Sequence, residues 1–267
     1  MKIKNLKIKN LKIKDFIKIG LIVIVVLPIF FSSIIDLYEK RNIILKKVAK
    51  ELKTEKAWQY YIPEEDIYWA REILNGGYIL HFRHAERDKW IDVKMYDSLE
   101  SDLHDNGTDE SRYAENEYFK DAVCLNERGK IQAKAMNEHI KSIGLKIFHI
   151  VSSPSCRARQ TAKLAFGGYE SLHRVLVHTG PYLEEKKDRI NNLKEFYLQL
   201  PQNQYGNVIV SSHNSVIETE MFENGNKLSN LSLEEGGFYI ISKKNNKLYL
   251  EHEFNNFRDF VKIFYER

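Results

Sequence analysis

Residues 64–267 are expected to form an α/β domain, a mostly parallel sheet with helices on both faces. Three observations predict it. Apolar runs of strand length recur at 78–82, 147–151 and 208–210. Stretches with apolar residues at helical spacing separate them, the pattern left by crossover helices between parallel strands. Each run also stops abruptly on polar groups: Arg83-His84, Ser152-Ser153 and Ser211-Ser212-His213.

Ahead of that domain the chain divides into three parts. Residues 1–18 form a tail with seven lysines against Asp15, which gives +6 and leaves −2 on the rest of the chain. The basicity is therefore a tail property and supplies no argument for nucleic acid as a partner. Residues 19–36 contain "GLIVIVVLPIFFSSII", Gly20 to Ile35, without one charge. Extended back to Phe16, the stretch reaches the roughly 20 residues that a bilayer core requires. A buried core helix would keep a polar face, and a cleaved signal peptide would be followed by a small-residue site that "SSIIDLYEKR" lacks. An uncleaved transmembrane anchor is expected. Lysines flank both of its ends, and the short tail is assigned to the cytoplasm. That makes a single-pass inner-membrane protein with its domain on the periplasmic or otherwise extracytoplasmic side. Residues 37–63 supply a helical stalk, with Leu45, Val48 and Leu52 on one face among lysines.

Inside the domain, Pro63 with Glu64, Glu65 and Asp66 starts a helix that Gly76-Gly77 ends, and Ile67, Ala70 and Leu74 form its apolar stripe. The first strand follows and runs into "FRHAERD". Residues 88–122 hold eleven acids against four bases, and "DLHDNGTDE" lacks the ordered oxygens of a calcium loop, so a solvated acidic loop is expected. Asn126 caps the next helix, in which Ala133, Met136, Ile140 and Ile143 repeat before Gly144. Then come "KIFHIVSS" as a strand, "SCRARQTAKLAF" as a helix, a helix over 189–200, "NVIVSSH" as a strand and a helix over 215–223. "GGFYIISKKNNKLYLEHEF" closes the domain as a hairpin turning at Asn245-Asn246.

In open α/β sheets ligands bind beyond the carboxyl ends of the strands. Those ends carry Arg83-His84, Ser152-Ser153-Pro154 with Arg157, and His213. Neutral imidazole attacks phosphorus, guanidinium groups hold phosphoryl oxygens in bidentate fashion, and a second imidazole adds charge as the transition state forms. Other chemistries lack their residues. His81 and His84 lie three apart on a strand and face opposite ways, so they share no metal. There is no Gly-x-Ser-x-Gly elbow, no P-loop, and no arginine six residues after Cys124 or Cys156.

Four stretches resemble the motifs of the histidine phosphatase (phosphoglycerate-mutase-like) superfamily, in its order: "FRHAE", "LNERGKIQAKAM", "SSPSCRARQTA" and "VIVSSHN". The resemblance spans about residues 72–255 and implies a phosphate monoester hydrolase that needs no cofactor and no metal. It implies that His84 is the nucleophile and forms a phosphohistidine, with Arg83 and Arg157 on the phosphoryl group and His213 beside them. Ser153 is a further contact or a plain loop former. Arg87 adds positive charge or pairs with Asp88. The Arg-Ala-x-x-Thr spacing selects Arg157, so Arg159 is read as facing outward.

The chain departs from the family pattern at two points. Ala85 stands where the family has glycine, and the general acid falls only on "PYLEEKKD", which points to Glu185 with Glu184 as neighbour. Glu86 or a proton from the substrate is the other source. Segments that would enclose a mutase substrate are not found, so hydrolysis of a phosphorylated small molecule or envelope sugar phosphate is expected. The alternative is a catalytically silent anchored domain that binds an anion on the same fold. If the domain lies outside the cytoplasm, a disulfide between Cys124 and Cys156 would tie the end of the acidic loop to the phosphate-binding segment; two free thiols is the other state. The sequence leaves the substrate and the oligomeric state open.

Overall fold

The computed structural model describes residues 40–41, 62–88, 123–177, 185–225 and 232–265. The lysine tail, the apolar stretch 19–36, the stalk apart from Lys40, Arg41, Ile62 and Pro63, and the acidic loop from residue 89 onward lie outside the described residues. Among the described residues no helix is long and apolar enough to cross a membrane. The chain divides into two compact units, Met1–Ile62 and Pro63–Arg267. The second is the α/β domain.

Helix α1 (Glu64–Asn75) opens with Glu64, Glu65 and Asp66 in its first turn, where carboxylates suit the positive end of the helix dipole. It buries Ala70 and Ile73 and stops at Gly76, whose φ of 98° leaves helical space. A Cβ on Gly76 would lie 2.4 Å from the Gly206 nitrogen, so the glycine also lets α1 close onto the loop before the fourth strand. Strand β1 (Ile79–Arg83) follows. Helix α2 (Glu127–Ile143) is capped by the Asn126 side chain, which accepts from the Gly129 N–H, and ends on Gly144 in the left-handed region. Strand β2 (Ile147–Ser152) leads into helix α3 (Cys156–Thr161), which continues as a π-helical turn over Ala162–Phe166. A two-residue strand β3 (Ser171–Leu172), helix α4 (Lys186–Gln199), strand β4 (Asn207–Ser212), strands β5 (Phe238–Lys244) and β6 (Lys247–Phe254), and helix α5 (Phe257–Tyr265) complete the domain.

The sheet order is β3-β2-β4-β1-β5-β6. The first four strands are mutually parallel, while β5 and β6 add an antiparallel edge, so the sheet is mixed. Asn245 and Asn246 take positive φ (52° and 56°) at the hairpin turn, as a two-residue primed turn demands. All six residues of β4 are buried, which fits a strand flanked by parallel neighbours and covered on both faces. One face packs Ile79, Val208, Val210 and Ile241 against Leu193 and Tyr197 of α4. The other is aromatic: Phe82 stacks on Phe238, and Phe254, Phe257 and Phe260 close over it.

Three elements differ from expectation. Residues 215–223 form only a 3₁₀ turn at Thr219–Met221, with Glu218 extended before it. Val216, Ile217 and Thr219 are β-branched, and the buried pairs Val216-Ile217 and Met221-Phe222 fit a chain that bends rather than one helical face. Helix α4 begins at Lys186, ahead of residue 189. Helix α5 was not anticipated, although Phe257, Phe260 and Ile263, its buried residues, stand at helical spacing.

Candidate active site

Parallel pairing aligns the carboxyl ends of three strands. Arg83 lies opposite Ser212 on β4, and Ser152 of β2 lies opposite Ser211. The His84 N–H then donates to the Ser212 carbonyl at 3.0 Å and the Ser153 N–H to the Ser211 carbonyl at 2.8 Å, which carries the alignment one residue past each strand. His84, Ser153 and His213 meet there. The imidazole rings of His84 and His213 are 5.4 Å apart, edge to face, and Ser153 Oγ lies 3.0 Å from His213 Nε2.

His84 Nδ1 is 2.7 Å from the Ala85 carbonyl. A carbonyl only accepts, so Nδ1 carries the proton and Nε2 keeps its lone pair. The residue is buried, and burial pushes its pKa well below the ordinary histidine value; the Arg157 charge adds to this, and Arg83 and Arg87 act in the same direction against the Ala85 carbonyl bond. A neutral imidazole ringed by three arginines is the state an attack on phosphorus requires.

Arg157 is 2 % exposed, and its Nη1 lies 3.5 Å from the Val123 carbonyl. Thr161 joins this arginine to the residue after His84: its Oγ1 donates to the Arg157 carbonyl at 2.8 Å and accepts from the Ala85 N–H at 2.9 Å. Arg83 gives Nη2 to Glu235 Oε1 at 3.1 Å and Nη1 to the Leu233 carbonyl. Burial lowers its pKa, with Glu235 opposing and Arg157 reinforcing that effect. Arg87 Nη1 donates to the Asp88 carbonyl at 2.8 Å.

One sequence assignment looks different in space. Arg159 is 1 % exposed, not outward-facing, and its Nε donates to the Pro154 carbonyl at 2.9 Å. Helix α3 buries Cys156, Arg157, Ala158, Arg159 and Thr161, so it has no solvent face to put an arginine on. Glu185 is exposed at the residue before α4. Glu184 lies outside the described residues. Glu86 is held by Arg128 at 2.5 Å and by Asn126 Nδ2 at 3.4 Å. Glu235, Thr161 and Gln132 were not singled out from the sequence. Gln132 accepts from the Glu86 N–H and donates to the Glu235 carbonyl, so α2 fastens both loops that hold Arg83.

Cys124 and Cys156 are bonded, with Cα atoms 4.9 Å apart and a separation of 32 in sequence. The bond fixes the first residue of α3, next to Arg157, to the segment that leads into α2. By loop-closure entropy such a link contributes about 3–4 kcal/mol.

Gly129 is the point where α2 touches the site. A Cβ there would lie 1.9 Å from the Glu86 carbonyl oxygen and 2.8 Å from its carbon. Gly129→Ala gains about 1 kcal/mol of helix propensity. Overpacking against backbone costs about 1–3 kcal/mol or more and displaces the 85–88 turn. We expect a lower melting temperature and about 10-fold slower turnover; a raised melting temperature in thermal unfolding would refute the close approach.

Two buried histidines also set a pH dependence of stability. His81 is pushed by burial from 6.5 down to about 4, and His84 is lowered as well. The unfolded chain binds these protons first, so stability is complete above about pH 6.5 and falls as pH drops toward the folded values. His81 alone accounts for about 2 kcal/mol between about pH 6.5 and about pH 5. Glu253 and Asp259, whose pKa values burial raises, act in the opposite sense at lower pH. Denaturant titrations at the two pH values test this, and a stability equal at both contradicts it.

No curated protein matches the chain. Among solved structures, it is similar to that of open reading frame Rv3214 from Mycobacterium tuberculosis (18% identity, covering 66% of this chain and 99% of that one, TM-score 0.39). It is similar also to the protein histidine phosphatase SixA complexed with tungstate (13% identity, 66% and 95%, TM-score 0.40). A third is a phosphoserine phosphatase from Entamoeba histolytica in complex with phosphoserine (14% identity, 66% and 95%, TM-score 0.38). The family model that matches is the histidine phosphatase superfamily (branch 1), over residues 79–187, which takes in β1 to the start of α4 and leaves His213 beyond its end. With His84, Arg83 and Arg157 inside that match, the resemblance carried by the motifs stands: residues 79–187 of this chain match the model of the histidine phosphatase superfamily (branch 1).

Proposed function

We propose that this protein hydrolyses a phosphate monoester through a phosphohistidine on Nε2 of His84. The observation that carries the reading is the neutral His84 with its Nδ1 proton on the Ala85 carbonyl, its Nε2 lone pair left to attack, and Arg157, Arg83 and Arg87 around it. The Nε2 lone pair forms the new bond to phosphorus as the ester P–O bond breaks and the alcohol departs. Water then attacks the phosphohistidine and releases inorganic phosphate. The arginines, and His213 aligned by Ser153, meet the charge that accumulates on the phosphoryl oxygens.

The leaving oxygen needs a proton from Glu185, Glu86 or the substrate itself. The ion pair of Glu86 with Arg128 favours one of the other two. Residues 19–36 are proposed to anchor the domain in the inner membrane with the tail inside, and the Cys124–Cys156 bond supports an extracytoplasmic domain. There a phosphorylated small molecule or envelope sugar phosphate is the substrate class.

The test is release of inorganic phosphate from an aryl phosphate by the full chain in detergent. Acid-labile, base-stable phosphate trapped on the protein during turnover supports the intermediate. An acid-stable phosphoryl group, or no turnover, rules it out. Membranes from cells that express the chain are expected to retain it through a carbonate wash, and release by that wash removes the anchor.

A further inference from the structure

His81 lies three residues before the nucleophile on β1, fully buried, and the reaction as derived so far does not use it. Its side chain leaves the opposite face of the strand from His84. There its Nδ1 lies 2.5 Å from the Tyr197 hydroxyl and its Nε2 lies 3.0 Å from the carbonyl oxygen of His213. That carbonyl belongs to the first residue past β4, beyond the ladder that holds β4 to β1.

The partners decide the tautomer. A carbonyl oxygen only accepts, so Nε2 carries a proton and donates it. In a neutral ring Nδ1 is then an acceptor, and the Tyr197 hydroxyl donates to it. Burial keeps the ring neutral by pushing its pKa down to about 4, so this arrangement persists through the neutral range. Tyr197 is itself fully buried on α4, which fixes the outer end of the chain of hydrogen bonds.

Strand β1 therefore grips the end of β4 twice. The His84 N–H holds the Ser212 carbonyl, and the His81 ring holds the next carbonyl, that of His213. Rotation of the peptide unit after His213 would swing its imidazole away from Ser153 Oγ and from His84. We propose that His81, oriented by Tyr197, is a positioning residue for His213: its Nε2–H holds the His213 carbonyl and so aims the second imidazole of the site. The proposal rests on the phosphatase reading of His84 and His213. A misplacement of about 1 Å at a reacting centre costs on the order of 100-fold in rate, which is the scale of effect available to such a tether.

The experiment compares wild type with His81→Leu, His81→Gln and Tyr197→Phe in aryl phosphate turnover, and records the long-range proton–nitrogen spectrum of the wild-type imidazoles. His81→Leu is expected to lower kcat about 10- to 100-fold with KM changed by less than about 3-fold, because the arginines that bind phosphate are untouched. His81→Gln offers an amide N–H to the same carbonyl and is expected to recover most of the loss. Tyr197→Phe, which leaves the donor in place, is expected to cost about 3-fold. The spectrum is expected to show the His81 proton on Nε2. An unchanged kcat in His81→Leu, or His81→Gln as impaired as His81→Leu, overturns the proposal. So does a proton on Nδ1, and that readout needs no activity and no variant that folds. A wild type no faster than His84→Ala would remove the phosphatase reading, and the spectrum would still decide the tether.

Discussion

His84→Ala is expected to bring turnover of an aryl phosphate down by about 10⁵-fold or more, to background. The size follows from the role: without Nε2 no atom among the described groups at the three strand ends takes the phosphoryl group, and Ser153 Oγ is engaged with His213. Binding and chemistry should separate in this variant. Arg157, Arg83 and Arg87 remain, so the affinity for inorganic phosphate is expected to stay within about 3-fold of wild type. Stability moves in a direction a merely damaged protein would not show. His84 is a buried group held neutral, and its removal deletes one of the histidines whose protonation favours unfolding, so the loss of stability toward acid should be shallower than in wild type. Phosphate release by the variant above about 1% of the wild-type rate would end the assignment of His84 as nucleophile.

Much of this site is written locally in the chain. Apolar runs ending on Arg83-His84, Ser153 and His213 are local features, and parallel pairing brings strand ends together as a matter of topology. What the sequence could not yield is what depends on distant partners. Glu235 holds Arg83 across 152 residues of chain, with no periodicity or spacing to announce it. Arg159 was misread because a helical position two residues from Arg157 normally has a solvent face, and α3 has none. The sequence only excluded His81 from sharing a metal with His84, because the partners of its two nitrogens, Tyr197 and the His213 carbonyl, lie 116 and 132 residues away. The expected helix over 215–223 failed because its apolar residues come in adjacent buried pairs, which only a bend satisfies.

Arg157→Ala is expected to lower kcat/KM about 10³- to 10⁴-fold, equivalent to about 4–5 kcal/mol. Arg157 is the charge with the largest effect on His84, and it is 2 % exposed, so its field acts with little solvent screening. The same fact gives the prediction a second, directional readout. Activity requires His84 neutral, and Arg157 helps hold its pKa down; without that charge the pKa rises, so the acid limb of the kcat/KM profile moves to higher pH. Arg157→Lys keeps the charge and loses the fork. It should leave the limb near its wild-type position while the rate falls by about 10- to 100-fold. Arg159→Ala supplies the contrast, because Arg159 is just as buried but is not among the charges that act most on His84. It is expected to lower the melting temperature and leave the acid limb in place. If Arg159→Ala moved the limb and Arg157→Ala did not, the phosphate-binding arginine would be Arg159, and the Arg-Ala-x-x-Thr spacing that selected Arg157 would have been read two residues out of phase.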